Sequence, residues 1–221
     1  MKLLLHALLK FILGIAFMGA VLFLPAGTLQ YPNARLFMAI LFIPMLLLGA
    51  VLFCKAPQLL KKRLNSKEKE KTQAWVITLS SVMFLASFVL AGLDFRFGWS
   101  NIPWWGVAIA AVLQLAAYAL YAEVMRENAY LSRTVEVQED QKVVDTGLYG
   151  IVRHPMYATT VLLYLAMPVV LGSWYAFLVM LLYPILIVFR IHNEEKVLES
   201  GLAGYAEYKK KVKYRLIPFV W

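Results

Sequence analysis

Two separated polar clusters hold most of the residues able to do chemistry. Asp145–Tyr157 reads DTGLYGIVRHPMY and Arg190–Glu195 reads RIHNEE. In the first, Gly147 and Gly150 flank Tyr149, and Arg153, His154 and Pro155 lead to Tyr157. Glycines there let the backbone approach a ligand closely, with N–H and C=O groups left to read a polar edge. Pro155 also has a plain structural reading, because proline suits the first turn of a helix, and Arg or His just outside an apolar run is ordinary. The second cluster sets a base and two adjacent acids, Glu194 and Glu195, at the end of the next apolar run. Acids at a helix C-terminal end oppose the macrodipole, and neighbouring carboxylates beside hydrocarbon repel each other. Neither feature helps folding. The structural alternative is a helix that simply continues, with solvated acids and an Arg190–Glu194 i, i+4 pair contributing a few tenths of a kcal/mol. The functional one is a joint negative field that favours a cationic ligand.

The elements that must position these clusters are apolar. With 62% hydrophobic residues in 221 and a mean hydropathy of +0.68, the chain lies well outside the usual soluble range. Leu3–Leu24, Leu36–Cys54, Ala74–Leu93 and Trp104–Glu123 read as four spans of near-bilayer length. Pro44 is a kink that neighbouring helices can accommodate. Lys10 snorkels or faces a polar interior. Pro25-Ala26-Gly27 only weakly imitates a signal-peptide cleavage site. Asp94–Pro103 reads as a short aromatic-rich turn, with Asp94 and Arg96 structural and Trp99, Trp104 and Trp105 an interfacial belt. Arg126–Val152 is a long polar connection, and the alternation around Val135 and Val137 suggests an extended, hairpin-like piece. Met156–Leu171 and Trp174–Phe189 are short runs that form a tilted or partly embedded helical hairpin. Helix is expected to about Ser200 and again from Tyr205 to Lys213, the latter as an interfacial amphipathic helix.

Charge patterning orients the chain. The segments 55–71, 126–155 and 190–215 carry seven, four and seven Lys/Arg, while the opposite turns carry only Arg35 and Arg96. About six membrane helices with both termini cytoplasmic satisfy the positive-inside rule. The +9 net charge therefore reports topology and anionic lipid, with no nucleic-acid partner expected. A single cysteine, Cys54, excludes an intrachain disulfide and a cysteine-based metal site. His6, His154 and His192 are scattered, and no metal is expected.

Gly147-x-Tyr149, Arg153-His154-Pro155-x-Tyr157, Glu194-Glu195, Gly204-Tyr205-x-x-Tyr208 and Arg215–Pro218 come in the order and rough spacing of one family. Over roughly 130–221 the chain resembles the isoprenylcysteine carboxyl methyltransferase and phospholipid methyltransferase family of integral-membrane, S-adenosylmethionine-dependent enzymes. The resemblance implies an all-α integral-membrane fold with a cytoplasm-facing cofactor pocket. Residues 1–125 would supply membrane helices and 126–221 the methyltransferase-like region. It also implies methyl transfer to a lipophilic, membrane-delivered acceptor: a carboxylate, thiol or amine. Arg190 and Glu194 are then the catalytic candidates. Gly147, Tyr149, Arg153, His154, Pro155, Tyr157, Glu194, Glu195, Tyr205 and Tyr208 are the cofactor-binding candidates. Tyr205, Tyr208 and Arg215 read equally well as a membrane-surface face or as a lid. Leu148, Gly150 and Thr159 depart from the family pattern, which has proline, a base and glycine there; a branched Thr159 would narrow the groove beside the cofactor. Two other readings stand beside this one: an NADPH-dependent membrane reductase of the sterol-reductase type, and a non-catalytic membrane binding module.

Overall fold

The structure is a computed structural model that describes residues 2–64, 71–131 and 137–221. Its helices are α1 (Lys2–Ala26), α2 (Pro32–Lys55), α3 (Pro57–Leu64), α4 (Lys71–Phe97), α5 (Trp104–Glu127), α6 (Pro155–Val170), α7 (Trp174–Met180), α8 (Leu182–Gly201) and α9 (Tyr205–Lys211), with a 3-10 turn at Gly147–Gly150. No strand occurs among the described residues. Five segments are long and apolar enough to cross a membrane: Leu3–Ala26, Pro32–Lys55, Trp75–Phe97, Trp104–Glu127 and Trp174–Gly201. The sixth expected segment, α6, has 16 residues, or roughly 24 Å at helical rise, and is short as the sequence implies.

Two expectations are corrected. The third span does not stop at Leu93 but runs to Phe97, so Asp94 and Arg96 lie in α4 rather than in a turn. The Trp174 run, with its expected helical continuation through the polar cluster, is long enough to cross a membrane as Trp174–Gly201, and a break at Leu181 divides it into α7 and α8. Pro184 accounts for the break, since it offers no N–H to the carbonyl four residues back. The extended piece read around Val135 and Val137 falls partly on 132–136, outside the described residues; Val137 packs against Gly201, 3.0 Å from where a Cβ on that glycine would stand.

α5 packs along α6, and α1 along α4. The α1–α4 approach is close enough that a Cβ on Gly92 would sit 2.7 Å from the Leu22 carbonyl, the kind of backbone contact that small residues permit between membrane helices. The far end of the bundle is tied by Asp94, only 2% exposed. It accepts from the Ser100 N–H at 2.7 Å, Ser100 Oγ at 2.6 Å and Ser173 Oγ at 2.5 Å. Ser173 also caps α7 by accepting from the Ala176 N–H. These bonds satisfy a buried carboxylate and fix the end of the bundle opposite the motif clusters, which is the structural role read for Asp94.

Gln114 is the exception inside the bundle. It is fully buried in α5, and neither atom of its carboxamide has a hydrogen-bond partner among the described residues. A buried amide left unpaired costs about 1–3 kcal/mol. Gln114→Leu, which keeps the volume and removes the polar atoms, is therefore expected to raise the thermal unfolding midpoint in detergent by a few degrees. A fall of that size would show that the amide has a partner worth keeping.

Candidate functional site

The two motif clusters meet at one end of the bundle. α6 starts at Pro155 with His154 as its N-cap residue, and α8 runs past Arg190, Glu194 and Glu195 beside it. The chain beyond α9 then returns across the start of α6. The Arg153 N–H donates to the Tyr214 carbonyl and the His154 N–H to the Arg215 carbonyl, both at 2.9 Å.

Glu195 is the hub of the arrangement. It is 3% exposed and accepts from Arg153 Nε at 2.8 Å through Oε1 and from Arg215 Nε at 3.1 Å through Oε2. His154 Nε2 lies 3.3 Å from Oε1, and Lys209 Nζ approaches Oε2 at 3.9 Å. The remaining reach of Arg153 goes to the Val212 and Lys213 carbonyls at 2.7 and 2.8 Å. One carboxylate thus joins α8, the start of α6 and the C-terminal segment. A buried charge needs this degree of pairing.

Glu194 is placed differently, although it is the adjacent residue. One residue along a helix is a turn of about 100°, and that rotation carries Glu194 to the wall of a cleft. The Tyr157 hydroxyl donates to Glu194 Oε2 and accepts from Arg190 Nε at 2.8 Å. The Arg190 guanidinium also sits over the Tyr157 ring, 5.8 Å from its centroid. The His154 and Tyr157 rings stack at 5.7 Å.

The cleft has a volume of about 100 Å³. Of the residues singled out from the sequence, Tyr149, Arg153, His154, Tyr157, Arg190, Glu194, Tyr205 and Tyr208 line it. Gly147, Pro155 and Glu195 stand behind the wall. Tyr208, buried, donates its hydroxyl to the Tyr149 carbonyl at 2.7 Å. Tyr205 is 4% exposed, and its hydroxyl has no hydrogen-bond partner among the described residues. Burial pushes both hydroxyls well above the ordinary phenol range; for Tyr205 the nearby Glu195 and Glu194 add to this. Both remain protonated donors. The face of α9 that carries Tyr205 and Tyr208 is thus packed inward over the cleft.

The sequence reading missed several residues. Glu127 accepts from the Leu148 N–H at 3.2 and 2.9 Å through its two oxygens, and Asn128 donates to the Tyr149 hydroxyl at 3.0 Å. Together they hold the turn at Gly147–Gly150 from behind. Gln141, Lys142, Leu198 and Leu202 complete the cleft wall. Nothing in the sequence singled them out, because their part depends on how residues 137–146 and the end of α8 pack around the cleft. Lys211 pairs with Asp145 at 2.7 Å and draws that carboxyl below its usual range. Thr159, the family departure, is buried and donates to the Met156 carbonyl at 2.7 Å, so its hydroxyl is turned into its own helix. Among the described residues no cluster of His, Cys, Asp and Glu could hold a metal ion.

Comparison with known proteins places this geometry. Residues 103–203 match the model of the phospholipid methyltransferase family. Among solved structures the chain is similar to a eukaryotic intramembrane Ras methyltransferase, isoprenylcysteine carboxyl methyltransferase. The match has a TM-score of 0.56 at 20% identity and covers 93% of this chain and 75% of that one. A Delta(14)-sterol reductase of Methylotuvimicrobium alcaliphilum is 24% identical over 139 residues, 55% of this chain and 32% of the reductase. The chain therefore spans about a third of that curated relative's length. The five apolar helices and the membrane-embedded neighbour make this an integral membrane protein. By family model over residues 103–203 and by fold over nearly its whole length, the chain resembles the isoprenylcysteine carboxyl methyltransferase and phospholipid methyltransferase family, as its motifs imply.

Proposed function

We propose that the protein transfers a methyl group from S-adenosylmethionine to a lipophilic acceptor delivered through the membrane. The observation that carries this reading is the cleft wall itself. An acid, Glu194, a buried Tyr205 hydroxyl with no hydrogen-bond partner among the described residues, and the stacked His154 and Tyr157 rings all belong to the lining of one cleft. A few polar groups converging among aromatic rings suit a cationic, hydrogen-bonding, partly aromatic molecule.

S-adenosylmethionine would supply an electrophilic methyl group on a positively charged sulfur. The chain's residues would bind and orient it. Glu194 sets a negative charge beside the sulfonium or the methionine ammonium, and the Tyr157 hydroxyl holds that carboxylate in place. The Tyr205 hydroxyl donates to the ligand, and the turn at Gly147–Gly150 brings Tyr149 against it. Glu195 acts at one remove, by fixing Arg153 and His154. Arg190 stands where it can place the acceptor. Alignment of this kind supplies several kcal/mol and calls for no catalytic dyad. With a carboxylate acceptor, two charges vanish in the transfer. With an amine or thiol a proton must leave as well, and Glu194 or His154 is placed to take it.

Two further features support a membrane-delivered acceptor and a cytosolic ligand. An apolar groove of about 410 Å³ lies between α5, α6, α7 and the C-terminal segment, with Leu113, Ala158, Leu165, Leu216 and Ile217 in its lining. The basic loops support a cytoplasmic placement of the cleft and both termini.

Calorimetry in nanodiscs tests the reading. S-adenosylmethionine should bind the native protein, and Glu194→Gln should weaken binding at least about tenfold, a loss of roughly 1.4 kcal/mol. The sterol-reductase relative favours a second reading, an NADPH-dependent membrane reductase. Binding of NADPH with none of S-adenosylmethionine would establish that reading and end the first.

A further inference from the structure

α3 is too short to cross a bilayer, and it follows the end of α2 almost without a gap. One side of it is buried. Leu59 and Leu60 are each 7% exposed, and Leu59 packs in a cluster with Val124, Met125, Leu131 and Tyr149. Its other side carries charge. Lys55, at the end of α2, and Lys61 are both exposed. From 55 to 64 the sequence holds four bases and no acid. Lys10 fixes the far end of α3 by donating its Nζ to the Leu64 carbonyl at 2.8 Å. Since Lys10 lies inside the apolar run of α1, this bond holds the end of α3 down at the edge of the hydrocarbon. The result is a basic helix at the membrane boundary whose apolar side shares a buried cluster with Tyr149, a wall residue of the cleft.

We infer that α3 and the end of α2 form a docking surface for anionic lipid headgroups of the cytoplasmic leaflet, and that occupancy of this surface steadies the Gly147–Gly150 turn through the buried cluster that holds both Leu59 and Tyr149. The inference rests on the cytoplasmic placement of the cleft and is independent of what the cleft binds. Charge complementarity selects the partner: each base near an anionic bilayer surface strengthens association by roughly fivefold, and a neutral surface offers no such gain. The coupling is short. Tyr149 bonds to Tyr208 through its carbonyl and to Asn128 through its hydroxyl. Leu59 is thus packed in the same cluster as a residue bonded to two others of the cleft wall. A lipid that restrains α3 restrains that cluster.

Hydrogen exchange in nanodiscs tests this. The probes are bilayers of phosphatidylcholine alone and of phosphatidylcholine with about a quarter phosphatidylglycerol. In the anionic bilayer, exchange in peptides covering 57–64 and 144–154 should slow about threefold or more. Lys55→Gln with Lys61→Gln should abolish the difference in both peptides. Leu59→Ala should keep it in 57–64 and lose it in 144–154. Equal exchange in the two bilayers, or a difference that survives loss of both lysines, would overturn the lipid surface. A difference in 144–154 that survives Leu59→Ala would overturn the coupling. Neither readout uses S-adenosylmethionine, so failure of that compound to bind would sink the methyltransferase reading and leave this one intact.

Discussion

Glu195→Ala is expected to destabilise the protein by about 3–5 kcal/mol, the range seen when one partner of a buried ion pair is removed, and to abolish methyl transfer. The size follows from what is left behind. The Arg153 side chain is 4% exposed, and without Glu195 its remaining bonds among the described residues are to the Val212 and Lys213 carbonyls. Neutral carbonyls do not cancel a buried positive charge. Arg215 and His154 lose the same partner, so three elements come apart at one point. Glu195→Gln separates charge from shape. It can keep one hydrogen bond to Arg153 while removing the negative charge, and should cost markedly less stability than the alanine variant. Thermal unfolding in detergent reads the first effect; binding of labelled S-adenosylmethionine to the glutamine variant reads the second. A Glu195→Ala protein that unfolds at the native temperature would mean that the C-terminal segment is held by something other than this carboxylate.

The neighbouring acid shows how much of the site the sequence could convey. Two acids after an apolar run signalled an unusual place, because neither helps a helix end. That they have different tasks was not legible. The split depends on which way the helix is turned at residue 194, and the helix is turned by the packing of Tyr183, Ile187 and Ile191 into the core. The meeting of Arg153–Tyr157 with Arg190–Glu195 was legible, since a helical hairpin returns both ends to one side. The spans were legible by length and hydropathy, apart from their ends. Asp94 looked like the start of a turn because a charge follows an apolar run, yet Ser100 and Ser173 satisfy it inside α4. The supports of the cleft were not legible at all. Glu127 and Asn128 look like ordinary polar residues after a membrane helix until the 147–150 turn is laid against them. The pairing of 153–154 with 214–215 is made by backbone atoms, which leave no mark in residue type.

Gly147→Ala is expected to cost the cleft more than any other single methyl group at its edge. Gly147 has φ +54°, in the left-handed region where a residue with a Cβ loses roughly 1–2 kcal/mol. Sterics add to this: a Cβ at that position would lie 1.6 Å from Glu127 Oε1, far inside contact distance, so the carboxylate must leave. Its departure breaks the bonds to the Leu148 N–H, and a hydrogen bond to a charged group contributes about 1.5–3 kcal/mol. Little of this total should appear in global unfolding, because the turn lies at the edge of the bundle. It should appear in the position of Tyr149, as a loss of S-adenosylmethionine affinity of about a hundredfold, or roughly 2.7 kcal/mol at tenfold per 1.4 kcal/mol. The double variant Gly147→Ala, Glu127→Ala isolates the steric part. With the carboxylate already gone the added methyl group meets nothing there, so its cost should shrink to the backbone contribution alone. Equal losses from Gly147→Ala in both backgrounds would show that Glu127 does not hold the turn, and that the backbone at 147 acts on the cleft directly.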